Sequence, residues 1–160
     1  LYGLELNAIH KVSGFGNWLD NLLLSANLTL TDSAADIEWF DDGSVFSREV
    51  ALPSQSDKTA NLSLGYETDT ISLRLAANYK SKYLAEVGDV TDAAYDGYSD
   101  DHLQLDFTAK WTFQRGMQVY FNGGNLNDEP YYAYTGSKAY NFQYEQYGRT
   151  FVLGVQITNW

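Results

Sequence analysis

The chain has 160 residues and a formal net charge of −11, with ten Lys and Arg against twenty-one Asp and Glu. That length is one domain, and the acidic balance excludes a nucleic-acid binder, which needs a basic face. The absence of Cys excludes disulfides, and no apolar run approaches the roughly 18 residues of a membrane helix.

The chain opens inside a pattern. Leu4, Leu6 and Ala8 alternate with Glu5 and Asn7, which predicts a strand over about Tyr2–Ile9. An opening already in phase reads as a cut through a strand, so the chain is expected to be a piece of a larger protein. The second predicted strand covers about Leu22–Thr31, where Leu22, Leu24, Ala26, Leu28 and Leu30 oppose Ser25, Asn27, Thr29 and Thr31. The third covers about Thr59–Glu67, with Ala60, Leu62, Leu64 and Tyr66 on one side. The fourth covers about Thr70–Ser81 and places Ile71, Leu73, Leu75, Ala77 and Tyr79 opposite Ser72, Arg74, Asn78 and Lys80. The fifth, His102–Gln114, alternates without a break: Leu103, Leu105, Phe107, Ala109, Trp111 and Phe113 share one face. The sixth is about Met117–Leu126, with Val119 and Phe121 apolar. The seventh is about Gly148–Ile157, with Phe151, Leu153, Val155 and Ile157 in phase.

The connectors alternate in kind. Val12–Asn21, Glu67–Thr70 and Arg115-Gly116 are short or compact, whereas Asp32–Ser56, Leu84–Asp101 and Asn127–Gln146 are long, acidic and rich in Tyr. If each strand reverses the last, all long loops lie at one rim and all short turns at the other, as in outer-membrane barrels. Runs of about 9 to 11 residues also suit a tilted bilayer crossing. The fold class expected is therefore all-β, with antiparallel up-and-down strands forming part of a transmembrane β-barrel. Alternation alone fits a soluble lipocalin-like barrel with the faces reversed. The polar face is rich in Asn, Ser, Thr and charged residues, which suits a wet lumen, and the apolar face of the second to fifth strands carries no charge. Leu28, Leu62, Leu64, Leu73, Leu75, Leu105, Phe107, Phe121, Leu153 and Val155 are thus expected to face lipid. Tyr66, Tyr79, Trp111 and Phe113 lie toward strand ends, where rings form interfacial girdles.

Among candidate sites, Glu86, Asp89, Asp92, Asp96, Asp100 and Asp101 crowd one loop. Their spacing does not match an EF-hand, and the reading is a solvated acidic loop with no metal. Rings in the long loops could stack on a sugar or hold an apolar chelate; Trp39, Tyr95, Tyr98, Tyr131 and Tyr134 are the expected cargo contacts, against the alternative that they pack loop on loop. Catalysis has little support. His10 and His102 are the only histidines, and no Gly-x-Ser-x-Gly elbow is present. No enzyme activity, cofactor or metal is expected.

The stretch Tyr120-Phe121-Asn122-Gly123-Gly124-Asn125-Leu126-Asn127-Asp128-Glu129-Pro130-Tyr131-Tyr132 resembles the penultimate strand of TonB-dependent outer-membrane receptors, where an Asn-Leu-x-Asp step closes the strand. Tyr147-Gly148-Arg149-Thr150-Phe151-Val152-Leu153-Gly154-Val155 is similar to the family's last strand, and Leu52–Leu62 to a segment entering an earlier one. One departure concerns the terminal aromatic: Asn159 holds the lipid-facing phase and Trp160 is one step off. The resemblance implies about 22 strands around a plug, of which residues 1–160 would be the last seven or so, with the plug domain outside this chain. It implies outer-membrane location, active uptake of a small cargo, and partners in lipid, the remaining barrel, the plug and, through the plug, TonB. The wording Asp128-Glu129-Pro130-Tyr131-Tyr132 and Tyr144–Thr150 leans toward oligosaccharide cargo. Ferric siderophore is the competing reading; a passive porin, a soluble lipocalin-like binder and a surface adhesin are the rival classes.

Overall fold

A computed structural model describes residues 1–158; the facing of Trp160 lies outside the described residues. The wall is one seven-stranded sheet built from β1 (Tyr2–Lys11), β2 (Leu22–Asp32), β5 (Lys58–Glu67), β6 (Ile71–Lys80), β9 (His102–Gln114), β10 (Met117–Gly124) and β13 (Thr150–Ile157). Their spatial order is β1-β2-β5-β6-β9-β10-β13, and every adjacent pair is antiparallel. Within the wall, each strand is bonded to the one that follows it, so the sheet is an up-and-down meander. All seven expected strands are present, with ends shifted by up to two residues. Asn125, at φ 54°, ends β10 at Gly124 in place of the expected Leu126, and Gly148, at φ 75°, delays the start of β13 to Thr150.

The long connectors are not plain loops. They hold six further strands: β3 (Ala35–Asp41), β4 (Ser44–Val50), β7 (Tyr83–Glu86), β8 (Gly97–Ser99), β11 (Tyr131–Thr135) and β12 (Asn141–Glu145). β3 and β4 form an isolated hairpin, and the other four form a sheet in the order β12-β11-β8-β7. The hairpin carries a local signal that the sequence reading passed over. Asp42-Gly43 at its tip has both residues at positive φ, 42° and 76°, the turn that matches strand twist. At the opposite rim the connectors stay compact. The Asp20 carboxylate accepts the N–H groups of Phe15 and Gly16 at 2.9 and 2.8 Å, and Arg115-Gly116 closes β9 onto β10 with a bulge at Met117 and Gln118.

The two regions bury different things. Among the described residues the buried apolar side chains are Val50, Leu84, Ala133 and Tyr134, all outside the wall. On the wall, Leu62, Leu64, Leu73, Leu75, Leu153 and Val155 are exposed, with Leu153 at 74%, while Leu28, Leu105, Phe107 and Phe121 are half-buried against their neighbours. Among the described residues nothing packs over the apolar face. Phe121 lies between Phe107 and Phe151, with ring centres 6.3 and 6.0 Å away. Trp111 and Phe113 lie 5.7 Å apart beside the Arg115-Gly116 turn, and Tyr66 and Tyr79 are half-buried near the ends of their strands. A ten-residue strand is about 33 Å long, so a tilt of about 40° brings its height near the roughly 25 Å apolar band of a membrane barrel.

One cross-strand row on the polar face consists of amides alone. Asn7 faces Asn27, Asn27 faces Asn61, Asn61 faces Asn78, and Asn78 faces Gln104. Asn27 donates to Asn7 at 2.6 Å and Asn61 to Asn27 at 3.4 Å. Asn78 and Gln104 turn instead to the Asp106 carboxylate, at 3.2 and 2.8 Å.

Candidate functional site

The three long connectors converge on Asp96, a fully buried carboxylate at 1% exposure between a short 3-10 turn, Ala93–Tyr95, and β8. Arg48, on β4, reaches it with a two-pronged fork: Nη1 donates to Oδ2 at 2.8 Å and Nη2 to Oδ1 at 2.7 Å. The same guanidinium donates to the carbonyls of Asp89 and Val90 at 2.8 and 3.0 Å. Gly88 N–H adds a 3.3 Å bond to Asp96 Oδ1. From the third connector, Gly136 N–H donates to the Asp96 carbonyl at 2.9 Å. Gly136 sits at φ 64°, and an added Cβ would collide with the Ala94 carbonyl, so only glycine meets both demands there. The hydrogen bonds to Asp96 raise the Arg48 pKa above its usual value against the opposing effect of burial.

Most carboxylates of the second connector have protein partners. Asp89 accepts from the Thr91 backbone and hydroxyl, which lower its pKa. Asp92 caps the 3-10 turn through Ala94 N–H at 2.8 Å. Asp100 pairs with Lys138 at 2.7 Å, joining β8 to the third connector. Burial alone would push the Asp100 carboxyl up; the Lys138 ammonium and the Asp101 backbone N–H outweigh it and hold it below the usual range. Lys138 is raised by its own bond to Asp100. Among the described residues no three His, Cys, Asp or Glu side chains gather as a metal set.

The five expected cargo contacts fall in different places. Tyr98 and Tyr134 are brought together, stacked with ring centres 5.6 Å apart, and Tyr134 is buried. Burial is the main cause that raises the Tyr134 pKa. The stack runs on to Tyr132 at 6.2 Å and Tyr144 at 6.3 Å, crossing β8, β11 and β12. For Tyr134, packing loop on loop is thus what the geometry shows. Trp39 is elsewhere, stacked on Phe46 across the β3–β4 hairpin at 5.8 Å. Tyr95 is exposed and Tyr131 half-buried, and neither joins the stack. Exposed rings that the sequence reading left out of its cargo set are Phe40 at the hairpin tip, and Tyr140, Phe142 and Tyr144 on or beside the edge strand β12. The period-two spacing of the last three was the available signal. Tyr147 donates to Glu145, which also accepts from Gln143; the Tyr147 bond is the leading cause that lowers the Glu145 pKa.

The Asn125-Leu126-Asn127-Asp128 step ties the loop layer to the wall. The Asn125 side chain donates to the carbonyls of Glu129 and Gly148 at 3.0 and 3.2 Å and accepts Glu129 N–H at 2.8 Å. Asn125 N–H donates to Asp106 at 3.0 Å, and Asn127 Oδ1 accepts Leu105 N–H at 2.9 Å. The motif thus acts as a knot between β9, the end of β10 and the start of β13.

No protein-family model and no curated protein matches the sequence. A solved structure, the siderophore receptor PiuA from Acinetobacter baumannii, matches the fold with a TM-score of 0.68 at 22% sequence identity, over 97% of this chain. The chain spans about a fifth of that receptor, 21% of its length. The fold is that of a length of antiparallel up-and-down β-barrel wall with its loops, left open at β1 and β13.

Proposed function

We propose that this chain is wall and outer-loop layer of a TonB-dependent outer-membrane receptor that takes up a small iron chelate of the siderophore class. The observation that carries the reading is the fold match: a seven-strand meander with long connectors sorted to one rim follows a siderophore receptor along nearly its whole length. The uncovered apolar face supports it physically. Leaving that many large side chains in water costs about 25 cal/mol per Å² of apolar area, whereas hydrocarbon removes the cost. In this reading Leu62, Leu64, Leu73, Leu75, Leu105 and Leu153 meet lipid, the amide row looks into the lumen, and the plug and TonB-contacting segment belong to other parts of the same protein. Loop rings, the half-buried Trp39 and the exposed Tyr95 among them, offer the cargo apolar faces, with Tyr98 and Tyr131 supplying hydroxyls at the rim. The oligosaccharide reading keeps only the wording of Asp128–Tyr132 and Tyr144–Thr150 in its favour, and several of those residues serve the Asn125 knot and the Glu145 cluster.

The test is uptake of radiolabelled ferric siderophores by cells with and without the full-length protein, each with and without TonB. Loss of uptake of one chelate in both deletions is expected. Undiminished uptake without TonB would mark a passive pore, and loss of labelled oligosaccharide uptake alone would restore the sugar reading.

A further inference from the structure

The β3–β4 hairpin stands apart from both sheets. Its legs are clasped at the base, where Leu52 N–H donates to Ser33 Oγ at 3.1 Å. Beyond that base, among the described residues every hydrogen bond from the hairpin to the rest of the molecule comes from one side chain, Arg48, and all four end on the segment from Asp89 to Asp96. Between hairpin and loop sheet lies a cleft of about 230 Å³, bounded by Arg48 and Val50 on one side and by Tyr83, Leu84, Asp96 and Tyr98 on the other. An interface that encloses a cleft is not closed by packing along its length. Val50 is buried at the foot of β4; beyond it the closure falls to the Arg48–Asp96 fork, whose side chains are 16% and 2% exposed. A fork of this kind is directional, and either partner left alone is a poorly solvated charge. The free end of the hairpin carries Phe40, 80% exposed, together with the exposed Val45 and Phe46.

We propose that the β3–β4 hairpin is a swinging arm at the loop rim, and that the Arg48–Asp96 pair is the latch that holds it down over the cleft. Opening the latch frees the arm and leaves the wall and the Tyr98–Tyr134 stack in place. That the arm then admits or confines cargo rests on the receptor reading above; the latch itself does not.

The test is hydrogen–deuterium exchange on the full-length protein in detergent. Once unlatched, a two-stranded hairpin is only marginally stable. Arg48→Met and Asp96→Asn should each raise exchange over Ala35–Val50 at least tenfold, with peptides of β6 and β9 unchanged. Arg48→Lys, which keeps the charge and loses the fork, should give an intermediate rise. Asp89→Asn should leave the arm protected, because the Asp89 carboxylate serves Thr91 and only its carbonyl meets Arg48. Unchanged protection in Arg48→Met, an equal rise in β6 and β9, or loosening by Asp89→Asn would each overturn the latch. A loosened arm with TonB-dependent uptake absent in the parent protein would keep the latch and sink the receptor reading.

Discussion

The wall and the loop layer solve the same problem in opposite ways. Every strand of the wall is hydrogen-bonded to its neighbours, yet its apolar side chains touch little beyond the next strand, and no described part of the protein covers them. The loop layer closes on itself. It buries Leu84, Ala133, Tyr134 and Asp96 and joins three connectors through named polar bonds. The difference teaches that one chain can hold a region whose fold is set by a repeating pattern and its solvent, and another whose fold is set by individual contacts.

The sharpest way to break that contrast is to put a charge on each face of the wall. Leu75 is central in β6 on the apolar face, and Thr108 faces Arg74 on the polar face. Leu75→Arg should cost about 2 to 4 kcal/mol if it meets hydrocarbon near the midplane, read as loss of folded, heat-modifiable protein in outer-membrane fractions. Thr108→Arg, which sets a second guanidinium opposite Arg74 on the wet face, should cost no more than about 1 kcal/mol. Equal damage from the two would reverse or abolish the assigned facing. Leu105 is a poorer probe, because its backbone also serves Asn127 and Leu126.

A similar loss, about 2 to 4 kcal/mol, is expected of Asn125→Ala, which strips three side-chain bonds from a largely buried knot and keeps a left-handed backbone on a residue that disfavours it. Asn125→Gly should recover about 1 kcal/mol of that through its backbone freedom alone. Denaturant midpoints for the two variants measure the split; identical midpoints would mean that backbone strain contributes nothing.

The smallest effect concerns pH. The Asp100 carboxyl is held low in the folded protein, so its contribution is present above the ordinary carboxylate pKa of about 3.9 and is lost as pH falls through the lower folded value. Protection of β8 and β11 amides, corrected for intrinsic exchange, should hold at about pH 5 and decline below about pH 4. Lys138→Met removes the partner and leaves burial to act against the ionised carboxyl, so the decline at low pH should shrink or reverse. Lys138 itself is raised, so its share is present at neutral pH and fades only as pH climbs through its folded value, above about 10.4. A decline of the same size in parent and variant would remove the pair from the account.

The wall was legible because its signal is periodic. Alternation from His102 to Gln114 fixes a strand and its two faces without knowledge of any partner. The loop layer was not, because its strands are short and their neighbours are remote in sequence. β7 has four residues and β8 three, too few to show a period, and β11 presents Tyr131, Tyr132 and Tyr134 on both faces. The acidic loop read as solvated because the sequence gives no hint that Asp96 would meet Arg48, 48 positions away. The Asp42-Gly43 turn, by contrast, was visible and passed over. Of the expected cargo contacts, Tyr98 and Tyr134 proved to be neighbours because β8 pairs with β11, a long-range pairing that composition cannot supply.

The amide row has a consequence for how the wall finds its alignment. A run of Leu and Ala on one side gives a strand almost no reason to prefer one position over another two residues away, since parity and greasiness survive the slide. Asn27 against Asn7 does give a reason. Moved by two, it would confront Glu5 or Ile9, and the same slide at β5, β6 or β9 would break the row at a further junction. Five amides at one height thus behave as the graduation marks of a vernier, legible only when all the scales coincide.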